Sequence, residues 1–146
     1  MDFDRYTEKT RSYFQKAQTL ALRSSHQSLE PEHLLKVMLE EDDRFISNIL
    51  QTADADKDKL LKDLNTAIAK FPKVEGPGAG GLRISNDLAK ILDQAITFAE
   101  KSGDKFVTGE RILQAMLMAK ATNVQDVLER SGLTSIRLNQ AISLMA

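Results

Sequence analysis

The sequence predicts an all-α protein made of two copies of one four-helix unit, and three observations carry that reading. The chain matches itself at a fixed offset of 78 residues: Ala17 falls on Ala95, Leu20 on Phe98, Leu34-Leu35 on Ile112-Leu113, Met38-Leu39 on Met116-Leu117, and Ile49-Leu50 on Val127-Leu128. A gap-free offset that preserves apolar character marks a duplicated structural unit. Apolar residues recur at helical spacing in each segment, with no useful stretch of strand-like alternation. Four of the seven glycines and two of the three prolines crowd into residues 71–81, a density that neither helix nor strand tolerates. Two pseudo-two-fold-related repeats of four helices follow, at 5–70 and 85–146, joined by a Gly/Pro linker at 71–84. Units packed in this way are expected to leave a groove between them.

Each element has its own signal. Tyr13, Phe14, Ala17, Leu20 and Ala21 form the stripe of a first helix, and Thr7 stands one turn earlier as its N-cap. The polar stretch from Arg23 to Ser28 ends it. Pro31 suits the first position of a second helix bearing Leu34, Leu35, Met38 and Leu39, which the acidic residues Glu40 to Asp43 close. A short third helix surrounds Ile46, Ile49 and Leu50. Asp56 caps a fourth, with Leu60, Leu61, Leu64, Ala67 and Ile68 inward. The second unit repeats this plan. Ser85 caps Leu88, Ile91, Leu92, Ala95, Phe98 and Ala99; Thr108 precedes Ile112, Leu113, Met116 and Leu117; Thr122 and Thr134 cap the last two helices.

Composition excludes several classes of function. Net charge is −1, with Lys and Arg scattered among Asp and Glu, so there is no basic footprint for nucleic acid and no polybasic membrane patch. The longest apolar runs fall far short of the ~20 residues that span a bilayer, and the first residues lack the apolar core of a signal peptide. With no cysteine there is no disulfide, thiolate ligand or thiol nucleophile. A cytoplasmic location fits these features. Gly76 to Gly81 is not a phosphate cradle, because no strand precedes it and Leu82-Arg83-Ile84 follows where Lys-Ser or Lys-Thr would be needed. His26 and His33 lack the further ligands of a zinc site, and no serine triad is recognisable; His33 is expected to be partly buried and hydrogen-bonded. Met38 and Met116, equivalent in the repeat, read as core. Asp104 and Glu110 flank a helix start, where a carboxylate complements the dipole.

Four segments together resemble the N-terminal domain family of the Clp/Hsp-type AAA+ unfoldases, and within it the ClpB-type disaggregases. They are Asp4-Arg5-Tyr6-Thr7-Glu8-Lys9, Leu29-Glu30-Pro31-Glu32-His33-Leu34-Leu35, Phe71-Pro72-Lys73-Val74-Glu75-Gly76, and Gly103-Asp104-Lys105-Phe106-Val107-Thr108-Gly109-Glu110. The resemblance covers essentially the whole chain. It implies a double four-helix repeat that captures exposed apolar segments of unfolded or aggregated polypeptides and performs no catalysis. ATP and Mg²⁺ would belong to downstream modules of a homohexameric parent that cooperates with a DnaK-type chaperone system, and the isolated domain would be a monomer without a cofactor or metal. The family's polar functional positions fall on Thr7, Asp104 and Glu110, and its substrate-groove positions on Gln94, Phe98 and Arg111. Those groove positions are usually apolar in the family; here only Phe98 is, which makes this groove more polar. Docking of a dedicated adaptor or degron for a Clp protease system is the alternative that this polarity favours. A stand-alone enzyme is the third, and no catalytic set supports it.

Overall fold

The computed structural model describes residues 2–41, 44–74 and 81–145. Asp42, Asp43 and the linker residues 75–80, including Gly76, Gly78 and Gly80, lie outside the described residues. The elements in order are α1 (Glu8–Arg23), β1 (Ser28–Leu29), α2 (Pro31–Glu40), α3 (Phe45–Thr52), α4 (Lys57–Ala69), β2 (Arg83–Ile84), α5 (Asn86–Lys101), α6 (Gly109–Leu117), α7 (Asn123–Arg130) and α8 (Ser135–Leu144). Each helix of the second unit begins 78 residues after its counterpart, the starts pairing as 8 with 86, 31 with 109, 45 with 123 and 57 with 135.

The caps explain these starts. The first N–H groups of a helix have no partner inside it, and a side-chain oxygen supplies one. Thr7 accepts from the Thr10 N–H at 3.2 Å, and Ser85, its equivalent, from Leu88 at 3.1 Å. Asp56 accepts from Lys59 at 3.0 Å and Thr134, its equivalent, from Arg137 at 3.1 Å. Thr122 accepts from Gln125 at 3.2 Å. At α2 the arrangement differs: Pro31 takes the first position, and the ring of His33 accepts from the Glu30 N–H at 3.0 Å, the place a Glu or Gln holds in a capping box. Thr108 makes no cap bond, and its hydroxyl is buried without a partner among the described residues.

Helices α2 and α6 form the centre, with Leu34, Leu35, Met38 and Leu39 of one and Ile112, Leu113, Met116 and Leu117 of the other all buried. Each such side chain contributes about 1.5–3 kcal/mol by leaving water. The expected core assignment of Met38 and Met116 therefore holds. Gly109, at the start of α6, lies close against the first unit; a Cβ there would stand 3.3 Å from Ile46 Cδ1 and 3.4 Å from Tyr13 Cε2.

The two units clasp each other symmetrically. Helix α3 packs on α8, and its equivalent α7 packs on α4. Leu29 pairs with Ile84 in a parallel two-strand ladder, and Tyr6 bridges Val107 in the same sense. Under the 78-residue offset Leu29 is Val107 and Ile84 is Tyr6, so the lead-in of each unit pairs with the loop of the other. The hydrogen bonds correspond as well: Ser85 N–H donates to Leu29 O at 3.1 Å, and Thr7 N–H to Val107 O at 3.2 Å. These two-residue pairings sit within an otherwise helical fold, and β2 forms at the end of the 71–84 segment. Two residues are too short to show alternation, and the pairing partner lies in the other unit.

Candidate functional site

The outward stripe of α5 carries Lys90, Gln94, Phe98 and Lys101, spaced i, i+4, i+8 and i+11 and hence on one face. Across from it, α6 ends at Leu117, and Met118, Ala119 and Lys120 follow. Between the two lies a depression of ≈ 380 Å³ lined by Ile91, Gln94, Phe98, Ala115, Met118 and Ala119 among others. A second depression of ≈ 320 Å³ adjoins it, bounded by Phe98, Met118, Gln114, Leu138 and Asn139. Phe98 and Met118 belong to both, so the two form one groove. Phe98 packs partly against the core, whereas Met118 is 57% exposed. Large apolar groups left in water beside a concave surface mark a contact site more than scattered surface leucines do.

The same place in the first unit is a depression of ≈ 360 Å³ lined by Lys16, Leu20, Arg23, Val37, Glu40 and Glu41. These are the offset equivalents of Gln94, Phe98, Lys101, Ala115, Met118 and Ala119. Here Lys16 Nζ reaches Glu41 Oε1 at 2.6 Å, spanning α1 and the end of α2. In the second unit the bridged pair is replaced by Gln94 and Ala119, which cannot form it. One groove is crossed by an ion pair; the other is not, and carries Met118 where the first has Glu40.

The larger depressions lie within the units, and the expected groove between the units has a smaller counterpart. Most of the junction is taken up by the α3–α8 and α4–α7 packing and tied by the Asp56 N–H to Ser131 O bond at 2.8 Å. The smaller hollow against α8, ≈ 250 Å³, is lined by Thr52, Asp54, Arg137 and Leu144. The open groove lies inside the second unit, where the end of α6 leaves part of α5 uncovered.

Of the candidate residues, Gln94 and Phe98 come together in this groove. Arg111 does not line it. Its Nε donates to Asp104 Oδ2 at 2.7 Å and its Nη1 to Gln114 Oε1 at 3.0 Å, while Gln114 Nε2 donates to Asn139 Oδ1 at 2.7 Å. Gln114 and Asn139 line the groove, so Asp104 and Arg111 form the polar support behind that wall. Thr7 stands apart: its hydroxyl bonds Thr10 at 2.8 Å and its N–H reaches Val107, one residue before Thr108. Glu110 sits in the first turn of α6 with Oε1 buried and without a hydrogen-bond partner among the described residues.

Sequence reasoning missed Met118 and the lysines Lys90, Lys101 and Lys120. The i, i+4, i+8, i+11 stripe of α5 was the available signal for two of them, because it stands opposite the buried stripe. It also missed how His26 and His33 are held. His33 is fully buried, not partly, and His26 is 7% exposed. Their Nδ1 and Nε2 lie 2.8 Å apart, and Phe71 packs on both rings at 5.3 Å between centroids. Since His33 Nδ1 accepts from Glu30, the neutral ring carries its proton on Nε2 and donates it to His26 Nδ1; His26 is then protonated on Nε2. Burial holds the His33 pKa down at about 4, with the neighbouring His26 adding to the effect. Burial also lowers that of His26, with Lys73 second. The pKa of Glu32, the residue before His33 in the first turn of α2, is pushed up by burial against the opposing bond from Asn123 Nδ2 at 3.0 Å. Among the described residues no helix is long and apolar enough to cross a membrane, and no group of three or more His, Asp or Glu is placed to hold a metal.

Comparison with known proteins places this geometry. The family model described as the Clp repeat (R) N-terminal domain matches residues 5–131. The chaperone protein ClpB of Mesorhizobium japonicum is 39% identical over 143 residues, which is 98% of this chain and 16% of that protein. The ClpB of Rhodopseudomonas palustris is 37% identical over 145 residues, 99% of this chain and 16% of that protein. The match falls in the N-terminal region of these relatives, so the chain spans only 16% of their length. Among solved structures, the Hsp104 N-terminal domain of Candida albicans has a TM-score of 0.81 at 20% identity, covering 97% of this chain and 91% of that one. A ClpV N-domain in complex with a VipB peptide has a TM-score of 0.71 at 17% identity, covering 94% and 89%. At these identities the likeness is one of fold.

Proposed function

The chain belongs to the Clp repeat N-terminal domain family, and from that premise we propose that it is the substrate-recognition module of a ClpB-type disaggregase chaperone. It captures exposed apolar segments of unfolded or aggregated polypeptides and passes them to a hexameric parent in the cytoplasm, which uses ATP and Mg²⁺ in its own downstream modules and works with a DnaK-type system. The module itself performs no chemical step and requires no cofactor. The observation that carries this reading is the open groove on α5, with Phe98 at its centre and Met118 exposed beside it. A related N-domain of the same fold is held in complex with a peptide, which supports a polypeptide as the ligand class. ClpB relatives at 37–39% identity support the chaperone assignment over a protease-coupled one.

The physics of such capture is weak binding. An apolar side chain that buries ~100 Å² gains about 2.5 kcal/mol at ~25 cal/mol per Å². Two such anchors supply about 5 kcal/mol before any cost of ordering the bound chain, which is about 1–2 kcal/mol for each residue fixed. Two anchors alone therefore give a dissociation constant no tighter than about 0.2 mM, weaker than the micromolar level that corresponds to about 8 kcal/mol. Weakness serves a module that must release what it holds.

Phe98→Asp places a charge at the centre of the groove. It is expected to lower affinity for a permanently unfolded model protein at least about tenfold, with helical circular dichroism and thermal midpoint preserved. Unchanged affinity would remove Phe98 from the site. A second reading, docking of one folded adaptor or degron, draws on the polar wall from Arg111 through Gln114 to Asn139. It predicts retention of a single folded partner in a pull-down, together with indifference to Phe98→Asp.

A further inference from the structure

The groove is apolar along its floor and cationic at its ends. Lys90 and Lys120 stand at one end, beside the ≈ 380 Å³ depression, and Lys101 at the other, beside the ≈ 320 Å³ one. All three are exposed, and none makes an ion pair among the described residues. Among the described residues Asp87 is the one acidic side chain that lines the groove with them. Three lysines against one aspartate make a positive rim on a chain whose net charge is −1. The first unit's groove lacks this bias: Lys16 and Arg23 face Glu40 and Glu41, and Lys16 is already paired.

Spacing fixes the length of what would fit. Lys90 and Lys101 are eleven residues apart on one helix, or about 16 Å along its axis. An extended chain covers that distance in about five residues. Resting on the reading of this groove as a peptide site, the geometry points to a preferred occupant: an extended apolar segment of about five residues with acidic residues at both ends. The apolar residues fill the two depressions on either side of Phe98 and Met118, and the flanking carboxylates meet Lys90 and Lys120 at one end and Lys101 at the other. Such selection favours stretches that the charges around them keep in solution, and it disfavours those already flanked by Lys or Arg. Unpaired rim charges set partner choice and encounter more than they set affinity.

The test uses three peptides that share one apolar five-residue core, flanked on both sides by Asp-Glu, by Ser-Asn or by Lys-Arg. Binding is measured by chemical-shift titration of the ¹⁵N-labelled 146-residue chain, which reports affinity and position together. An exposed lysine–carboxylate contact changes affinity by a factor of about 1.5 to 5. The acidic peptide is therefore expected to bind about tenfold more tightly than the basic one at 25 mM salt, with the neutral one between them. The gap should narrow to about threefold at 300 mM salt. In the variant Lys90→Glu, Lys101→Glu, Lys120→Glu the order reverses, while the neutral peptide keeps its affinity within about twofold. Equal affinity for all three peptides, or a preference for basic flanks, overturns the charge selection and leaves the groove itself standing. Failure of every peptide to shift α5 resonances overturns both. The neutral peptide also reports whether the triple variant is folded, and Lys101→Ala alone should halve the preference if that variant does not fold.

Discussion

Acidifying the protein should weaken it through the buried histidine pair, and the size of that effect can be worked from the structure. His33 is fully buried, accepts the Glu30 N–H at 3.0 Å through Nδ1, and donates to His26 through Nε2 at 2.8 Å. A second proton on either ring must enter at an Nδ1 that is already accepting, so protonation breaks this chain of bonds. The folded pKa of about 4 lies below the ~6.5 of an unfolded histidine. A group lowered in this way contributes stability that is complete above about pH 6.5 and is lost as pH falls toward the folded value. At pH 5 the loss from His33 alone is about 2 kcal/mol, from the ratio of unfolded to folded protonation at that pH. Lys73, which lowers the His26 pKa after burial does, repels the added charge. Glu30 lines the same hollow as His26 but holds His33 by its backbone N–H. The assay is urea denaturation at pH 7 and pH 5 for the wild type and His33→Asn, whose amide oxygen can still accept from Glu30. Subtracting the variant removes carboxylates common to both, including Glu32, whose raised pKa acts in the opposite sense. If wild type and variant lose the same stability between pH 7 and pH 5, the assigned protonation is wrong. Nitrogen NMR of the imidazoles offers a direct check, since both Nδ1 atoms should read as unprotonated at pH 7.

Two further outcomes follow from the repeat. Ser85→Ala removes the cap of α5 but keeps its backbone bond to Leu29; it should cost about 1 kcal/mol, and a midpoint drop of about 3 °C in a thermal melt would match. Installing the open groove's residues in the first unit, by Lys16→Gln, Glu40→Met and Glu41→Ala, should create a second weak peptide site. Titration calorimetry would then read a stoichiometry near two, and a stoichiometry still at one would show that these three residues are not what sets the two grooves apart.

The fold was legible because its signals are local. Thr7, Ser85, Asp56, Thr122 and Thr134 each stand next to the helix they cap, and the burial of Leu34, Leu35, Ile112 and Leu113 follows their spacing. The site was legible only in part. Gln94 and Phe98 lie in the groove, but the pairing of Arg111 with Asp104 turns its side chain toward the groove's supporting wall. Thr108 precedes a helix and so resembles a cap, yet its hydroxyl makes no cap bond. The histidine pair joins residues seven apart across a turn, and Phe71 from the far end of the unit completes it. Such contacts depend on where the chain returns in space, which periodicity does not encode.

The reciprocal ladders have a consequence for how the two grooves came to differ. Leu29 with Ile84 and Val107 with Tyr6 are two images of one contact, the arrangement of an isologous homodimer whose partners have been fused into a single polypeptide. In a true homodimer a substitution appears in both partners, so opening one groove opens the other. Fusion lifts that constraint and also fixes the local concentration of one half around the other. One half can then keep Lys16 locked to Glu41 while the other carries Gln94, Met118 and Ala119 at the same positions. Separately expressed halves, 2–74 and 81–145, should accordingly recombine into the native heterodimer, and in it the division of labour between them would survive the cut.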